Sequence, residues 1–516
     1  MHINSNHSNI AFGREIDFCR DWLNLKSIRA CWYSRPVIIE RILQRLVEVA
    51  QTPYARAVKN LQDSSVSAMP PSGSILKTKY AHIKMGAGDI VVTKKQLINS
   101  CFEYFLHWIF CLSAIIFVKN DRKCMLHSVL IYGIGGENVF KDGSDEGLIE
   151  YFRLGPIRAL RGDGPFFIEY SRCARSLINE CFTYSKRPHV TLLRTAKFGI
   201  FGRIRLLALH CSSIFSFGFC MLKNPVYSLI SRDFAYAAIF SEMDRRGFID
   251  SVIFTTTNVL SQPLWTRAFI NAKVHMIWYS QSQQIISYQP DFLVSDMPGL
   301  RWIRVDVHWV WTNTYAKYLR SLISRGIVEA VGPVVWSVPE ISNPANQEIQ
   351  VIVFDVPPFS DQVALECGEI SNYFNPKNLT LFIEDLLKLK KRLESIFVLP
   401  VVLVVKMKRN YNPAYDLKYY KYLEMLGALG QIRLVSCTSN IYSLISTGRL
   451  VIAYPFTSPA YIADSLGVPS IYYDPTDAIF RNDFPDDASM IEFAAGSEQL
   501  FDKALSALNR YKFERM

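Results

Sequence analysis

Residues 349–474 repeat one pattern: a short, almost wholly apolar run, then a longer segment with apolar residues at helical spacing. IQVIVFDV (349–356) precedes LTLFIEDLLKLKKRLES (379–395), and VLPVVLVVK (398–406) precedes a helical stretch over 414–427. IRLVS (432–436), RLVIAYPF (449–456) and PSIYYD (469–474) follow. A strand that is apolar at every position is buried on both faces. A parallel neighbour needs a long crossover, usually a helix. The pattern therefore predicts a parallel sheet with helices on both sides.

The same alternation occupies about 124–336. Its strands are MLHSVLIYGI (125–134), PFFIEY (165–170), HVTLLR (189–194), SVIFTTT (251–257), VHMIWYS (274–280), IRVDVHWVW (303–311) and EAVGPVV (329–335), with helical segments notably at 226–246 and 313–325. SVPEISNPANQE (337–348) is rich in Pro, Asn and Ser and reads as an interdomain linker. The predicted fold class is α/β: two Rossmann-like domains, 101–336 and 349–497, facing across a cleft. A mainly helical region, 1–100, precedes them and a C-terminal helix, 498–516, follows. VIIERILQRLVEVA (37–50) carries the helical spacing of the first region, and DSSVSAMPPSGSI (63–75) is a Ser/Pro/Gly loop that reads as a boundary.

The chain has 516 residues, enough for two or three domains, and its net charge of +11 favours anionic partners. No zinc-ribbon, helix-turn-helix or RNA-binding signature stands out, so no nucleic-acid partner is expected. The 11 cysteines form no CxxC pair, which reads as free thiols in a reducing cytoplasm. The N-terminus lacks the pattern of a signal peptide. Two apolar stretches, CFEYFLHWIFCLSAIIFV (101–118) and LLALHCSSIFSFGFCML (206–222), sit at or below the length of a spanning helix. Each carries polar residues, which favours buried core helices over helices dipping into a membrane face.

The segment LVIAYPFTSPAYIADSLGVPSIYYDPT (450–476) carries the first chemistry. Ser458 is placed as an N-cap, Pro459 as the first helical residue and Gly467 as the stop before the next strand. A helix start bearing Thr457 and Ser458 at a strand's carboxyl end suits an anion such as a nucleotide phosphate; a capped helix with no ligand is the plainer reading. The run KMKRNYNP (406–413) sets Lys406, Lys408 and Arg409 at another strand's carboxyl end, where they would neutralise phosphate.

Several motifs occur together in one order: Pro455-Phe456-Thr457-Ser458-Pro459-Ala460, then Gly467-Val468-Pro469-Ser470-Ile471-Tyr472-Tyr473-Asp474-Pro475-Thr476, with Trp278-Tyr279-Ser280-Gln281, His308-Trp309-Val310-Trp311-Thr312 and Val331-Gly332-Pro333 upstream. On these residues the chain resembles the bacterial surface polysaccharide biosynthesis proteins named for their PFTS motif, over about 125–490. The resemblance implies a GT-B-type glycosyltransferase that builds capsule or O-antigen at the cytoplasmic face of the inner membrane, acting on a lipid-linked oligosaccharide acceptor. The layout also looks like that of bacterial sialyl- and Kdo-transferases, where a basic/His-Pro motif and a later Ser/Thr motif hold the phosphate of a CMP-sugar. Lys406–Arg409 and Thr457-Ser458 occupy those places in chain order. This chain has Asn412-Pro413 instead of His-Pro, so UDP- and GDP-sugars stay open beside CMP-sugars such as a nonulosonic acid or Kdo.

Deprotonating an attacking sugar hydroxyl calls for a carboxylate or histidine. GIGGENVFKDGSDEG (133–147) follows the first strand of the N-terminal domain, and Asp145 and Glu146 within it are the candidate catalytic residues, with helix capping as the plainer reading. Tyr279 and Gln281 end another strand there and are candidate acceptor contacts. His308 reads as a core histidine. Tyr473 and Asp474 either touch the donor or close the strand into the turn at Pro475. No DxD-like or His/Cys metal pattern stands at a strand end, so metal-independent chemistry without a cofactor is expected. A nucleotide-sugar epimerase of the same architecture and a non-catalytic polysaccharide assembly protein remain alternatives.

Overall fold

The computed structural model of the chain describes residues 79–85, 88–117, 128–132, 166–169, 177–178, 182–185, 198–223, 225–255, 262, 264–278, 303–323, 325–333, 348–359, 374–411, 415–455, 457–478 and 491–514. The run at 189–194, the linker at 337–348 except its last residue, Asp145, Glu146, Tyr279 and Gln281 lie outside them.

Two sheets organise the protein. The first contains β3 (Ser128–Tyr132), β4 (Phe166–Glu169), β5 (Leu177–Ile178), β6 (Phe182–Ser185), β7 (Ile249–Thr255), β8 (Lys273–Ile277), β9 (Val307–Val310) and β10 (Ile327–Ala330). Their spatial order is β10-β9-β8-β7-β3-β4-β6-β5, parallel except for β5 against β6. The second contains β11 (Ile349–Phe354), β12 (Val401–Lys406), β13 (Arg433–Val435), β14 (Leu450–Ala453), β15 (Ser470–Asp474) and β16 (Ile491–Ala495), in the order β13-β12-β11-β14-β15-β16 and parallel throughout. The α/β expectation holds. Each sheet starts at its middle, grows one way, then crosses back, so each has a switch point: β3/β7 in the first and β11/β14 in the second. Ligands of open parallel sheets sit in the crevice where the chain departs in opposite directions.

The second sheet is buried as its composition requires: Val351, Val353, Leu403, Val405, Val451 and Ile471 are all 1% exposed or less. Its cover includes α5 (Pro376–Glu394), α6 (Leu417–Ala428), α7 (Ile441–Thr447), α8 (Ser458–Ser465) and α9 (Gly496–Glu514). Asn375, Asp416 and Asn440 cap the first three of these helices through side-chain oxygens that accept backbone N–H bonds. In the first sheet, α4 (Asn313–Leu322) starts at Thr312, whose hydroxyl oxygen accepts from Tyr315 N at 3.1 Å. The HWVWT motif is thus a strand, its exit and a helix cap. His308 is a core histidine as expected: it is buried, and Trp278 Nε1 donates to its Nδ1 at 3.1 Å.

The region ahead of the first sheet differs from the helical expectation where it is described. Residues 79–93 form an antiparallel hairpin, β1 (Lys79–Met85) with β2 (Gly88–Thr93), and helix α1 (Lys94–Phe117) starts directly after it. HIKM in the first strand alternates, and the β-branched run IVVT favours the second.

The expectation of buried core helices fails for both apolar stretches. The first lies in α1 and the second in α2 (Ile200–Lys223), each 24 residues long because the helix runs on through flanking basic residues. Their most apolar stretches are only 22% and 28% buried. The two run antiparallel: Tyr104 stacks on Phe217, Trp108 stacks on His210, and Trp108 Nε1 donates to His210 O at 3.1 Å. Together they lie against α3 (Ser231–Arg245), a helix buried along most of its length.

Candidate functional site

The second switch point is well defined. Phe354, at the end of β11, pairs with Lys406 of β12 on one side and with Ala453 of β14 on the other. Tyr454 N donates to Phe354 O at 3.1 Å, the last bond before the two chains part. One side leaves through Asp355. The other leaves through Tyr454-Pro455 into α8.

The PFTS segment folds nearly as its sequence reads, with the cap one residue earlier. Thr457, extended at φ −110° and ψ 149°, is the N-cap, Ser458 is the first helical residue and Pro459 the second. Proline is tolerated there because it has no N–H to leave unpaired. Thr457 does not cap with its side chain; its hydroxyl donates to Tyr454 O at 2.8 Å. Tyr472 OH donates to the Thr457 carbonyl. The Thr457 proton is therefore held by the turn, and what the turn offers an anion is the backbone N–H groups at the start of α8, with Ser458 beside them. The helix ends at Gly467, φ +69°, with Val468 N donating to Ala463 O and Gly467 N to Asp464 O. That paired bonding is a Schellman stop, which glycine enters without strain.

Two strands away, the basic turn divides into a buried and an exposed part. Lys406 is 8% exposed, and its Nζ donates to Cys437 O at 2.7 Å, tying the end of β12 to the turn after β13. Lys408 and Arg409 are exposed. Arg409 donates to Tyr415 OH at 2.8 Å, while Tyr420 OH donates to Arg409 O at 3.0 Å. The Lys408 ammonium has a lowered pKa, first through desolvation by the atoms about it and then through the like charge of Arg409; Asp355 opposes the shift.

Asp355 is the residue that sequence reasoning missed. It is 4% exposed at the carboxyl end of the central strand, between the basic turn and α8. Its Oδ1 accepts from Lys408 N and its Oδ2 from Tyr419 OH, both at 3.1 Å. Burial pushes its pKa up to about 6, against the lowering pull of these hydrogen bonds and of Lys408 and Lys406. The carboxyl group clamps the basic turn and α6 to β11. The signal was present in IQVIVFD, an acid closing an otherwise apolar strand.

Tyr473 and Asp474 have structural partners. Tyr473 is fully buried, stacks on Phe382 and donates to Asp385 Oδ2 at 2.6 Å, joining β15 to α5. Asp474 Oδ1 accepts from Thr476 N at 2.9 Å and Thr476 Oγ1 at 2.8 Å, closing the strand into a turn. Removing the phenolic hydroxyl in Tyr473→Phe leaves a buried acceptor, Asp385 Oδ2, with one partner fewer. The expected cost is about 1–2 kcal/mol of stability, read by thermal unfolding, with nucleotide binding unchanged.

The structure thus brings Lys406, Lys408, Arg409, Thr457 and Ser458 to one edge of one sheet, with Tyr473 and Asp474 on a neighbouring strand. At about 4.8 Å per strand, the basic turn and the start of α8 are separated by roughly 10 Å, with Asp355 between them. That edge faces the first sheet: Trp311, just past β9, meets Tyr461 of α8 edge-on, with ring centroids 6.2 Å apart. Among the described residues, no three His, Cys, Asp or Glu side chains gather as a metal site.

Comparison with curated protein sequences gave no match. Among solved structures, the wall teichoic acid polymerase TagF is 10% identical, with 82% of this chain and 92% of that chain covered, at a TM-score of 0.39. TarM is 12% identical, with 53% and 52% covered, at 0.31. A sucrose-phosphate synthase from Thermosynechococcus elongatus is 10% identical, with 75% and 90% covered, at 0.39. These are weak likenesses, and the assignment rests on sequence. The family model described as "Polysaccharide biosynthesis PFTS motif protein" matches residues 214–503, more than half of the chain, and takes in both the HWVWT and PFTS motifs. The chain belongs to the PFTS-motif polysaccharide biosynthesis family.

Proposed function

We propose that the protein is a GT-B-type glycosyltransferase whose C-terminal sheet holds the phosphate of a nucleotide-sugar donor at the β11/β14 switch point. One observation carries this reading. An exposed basic turn, Lys408-Arg409, and a helix start with no side-chain cap stand about 10 Å apart on the same sheet edge, one on each side of the crevice. Cationic side chains and helix N–H groups both stabilise phosphate, and both favour the charge that grows on a departing nucleotide. Lys406 and Thr457 support the site by fixing the two turns, since Lys406 Nζ and the Thr457 hydroxyl each donate to a backbone carbonyl.

The donor favoured by chain order is a CMP-sugar. The acceptor is a growing bacterial surface polysaccharide, capsule or O-antigen, on a lipid carrier at the cytoplasmic face of the inner membrane. Asp145 and Glu146 are proposed to supply the base, and Tyr279 and Gln281 to meet the acceptor. In the sequence, the segment with the two acids comes directly after β3, one of the two strands at the other switch point. The reaction is proposed to need no metal.

A thermal-shift panel of CMP, CDP, UDP and GDP on the full-length protein tests this reading. One nucleotide at 100 times its Kd is expected to stabilise the fold by about 2.7 kcal/mol. Arg409→Ala and Ser458→Ala are each expected to lose most of that shift, and chelation to leave it unchanged. No shift with any nucleotide would leave the PFTS helix as a structural element and overturn the donor site. Sugar-nucleotide turnover without acceptor would replace transfer by epimerisation.

A further inference from the structure

We infer that the outer face of the α1–α2 pair is a docking platform that lies flat in one leaflet of an anionic bilayer. The inference rests on the helix faces alone, so it stands or falls apart from the donor reading.

Helix α2 is patterned inside out. The stripe that faces the protein includes buried His210 and Ser213, whereas Ile204, Phe215, Phe219 and Leu222 on the other sides are 53% exposed or more. A helix facing water carries its polar residues outward. Helix α1 continues the surface, with Phe102, Phe105, Ile109, Ile116 and Phe117 exposed and Glu103 as the acid among them. The two helices have 24 residues each and are each about 36 Å long; they carry this exposed apolar face along the pair, and exposed apolar patches rimmed by polar residues mark interaction sites.

The pair lies on the domain along its length. Ser231 Oγ donates to Ser100 O, and Tyr236 OH meets His107 Nδ1 at 2.7 Å, so α1 follows α3 from its first turn onward. Phe217 packs on Phe234, and Arg205 reaches Glu242 at 3.5 Å, so α2 runs back beside it. Helices fixed side-on to a domain helix bearing Glu242 and Asp244 cannot be ringed by lipid. The pair enters a membrane by its outer face, in the interface plane.

Charge selects the occupant. Lys94 and Lys95 open α1 beside the end of α2, where Lys223 lies; Arg203 and Arg205 sit at the opposite end of the pair. An apolar middle with basic ends matches acyl chains flanked by anionic headgroups. A second copy on this face would set basic ends against basic ends in either orientation.

The test is flotation of the full-length protein with phosphatidylcholine vesicles, with and without phosphatidylglycerol, beside Phe215→Gln/Phe219→Gln. The wild type is expected to float with the anionic vesicles, less so as salt is raised, and the double variant to lose at least tenfold of that binding with its thermal unfolding unchanged. A wild type that stays at the bottom, or a double variant that floats equally, overturns the platform. A wild type that doubles its mass in solution while the variant stays single shows a copy interface instead and overturns it too. Equal flotation without phosphatidylglycerol overturns the anionic selectivity.

Discussion

Lys408→Met is expected to weaken nucleotide binding tenfold to a hundredfold, about 1.5–3 kcal/mol for one charge-assisted hydrogen bond, while the fold survives. Lys408 is exposed, and its backbone N–H, which the substitution keeps, makes the bond to Asp355. The loss should depend on pH. In the free protein desolvation and Arg409 lower the ammonium's pKa. A phosphate beside it favours the charged form and raises that pKa again, so binding takes up a proton wherever the free amine is partly neutral. Affinity should hold steady below the free-state pKa and fall as pH rises through it. In Lys408→Met this dependence should vanish. Calorimetric titration across pH, in buffers of different ionisation enthalpy, checks both statements; a wild-type affinity flat to alkaline pH would remove Lys408 from the phosphate site.

Asp355 should answer oppositely to its two simplest substitutions. Its folded-state pKa of about 6 lies above the ordinary 3.8, so folding favours the neutral acid. The stability this confers is complete below the unfolded-state pKa and is lost as pH rises through about 6, leaving an ionised wild type less stable by roughly 3 kcal/mol above that range. Asn carries no such charge. Its amide oxygen can accept from Lys408 N, and its NH₂ can donate to the Tyr419 hydroxyl oxygen, reversing that bond. Asp355→Asn is therefore expected to melt above the wild type at pH 8, with the gap closing toward pH 4, and to keep its nucleotide affinity. Asp355→Ala strands both donors, which costs about 1–3 kcal/mol each when buried, and frees the basic turn, so affinity should fall with stability. Thermal unfolding from pH 4 to 8, with nucleotide titration at pH 8, distinguishes them. An Asp355→Asn protein that melts below the wild type at every pH would refute the buried-acid account.

These two positions show what the sequence could and could not convey. Strands such as VVLVVK are apolar on both faces because the sheet is covered on both faces, so five of the second sheet's six strands, β11 to β15, were legible. Basic residues at the end of β12 and hydroxyls after β14 were legible for the same reason: polar residues abruptly follow buried runs. Asp355 was legible only as an acid closing a strand; its importance comes from Lys408 N and Tyr419 OH, 53 and 64 residues away. Local pattern also set the helix cap at Ser458, since Ser-Pro suits a cap and first turn, whereas the backbone turns one residue earlier at Thr457. The short strand β16 and the seven-residue α7 carried too few periods to register. For α1 and α2 the composition announced apolar helices, but not which face would be left outward.

Helix α8 has a mechanical consequence. It is eight residues long, a strut of about 12 Å, with the proposed phosphate at its first turn and Tyr461 on its flank against Trp311 of the opposite sheet. Its far end is locked by the Gly467 stop. A body that short and that firmly anchored cannot bend, so a load at its tip becomes a small rotation of the whole rod. Tyr461 and the proposed phosphate thus bear on the same short rod, so the turn that would hold the nucleotide and the ring that meets the first sheet move together or not at all.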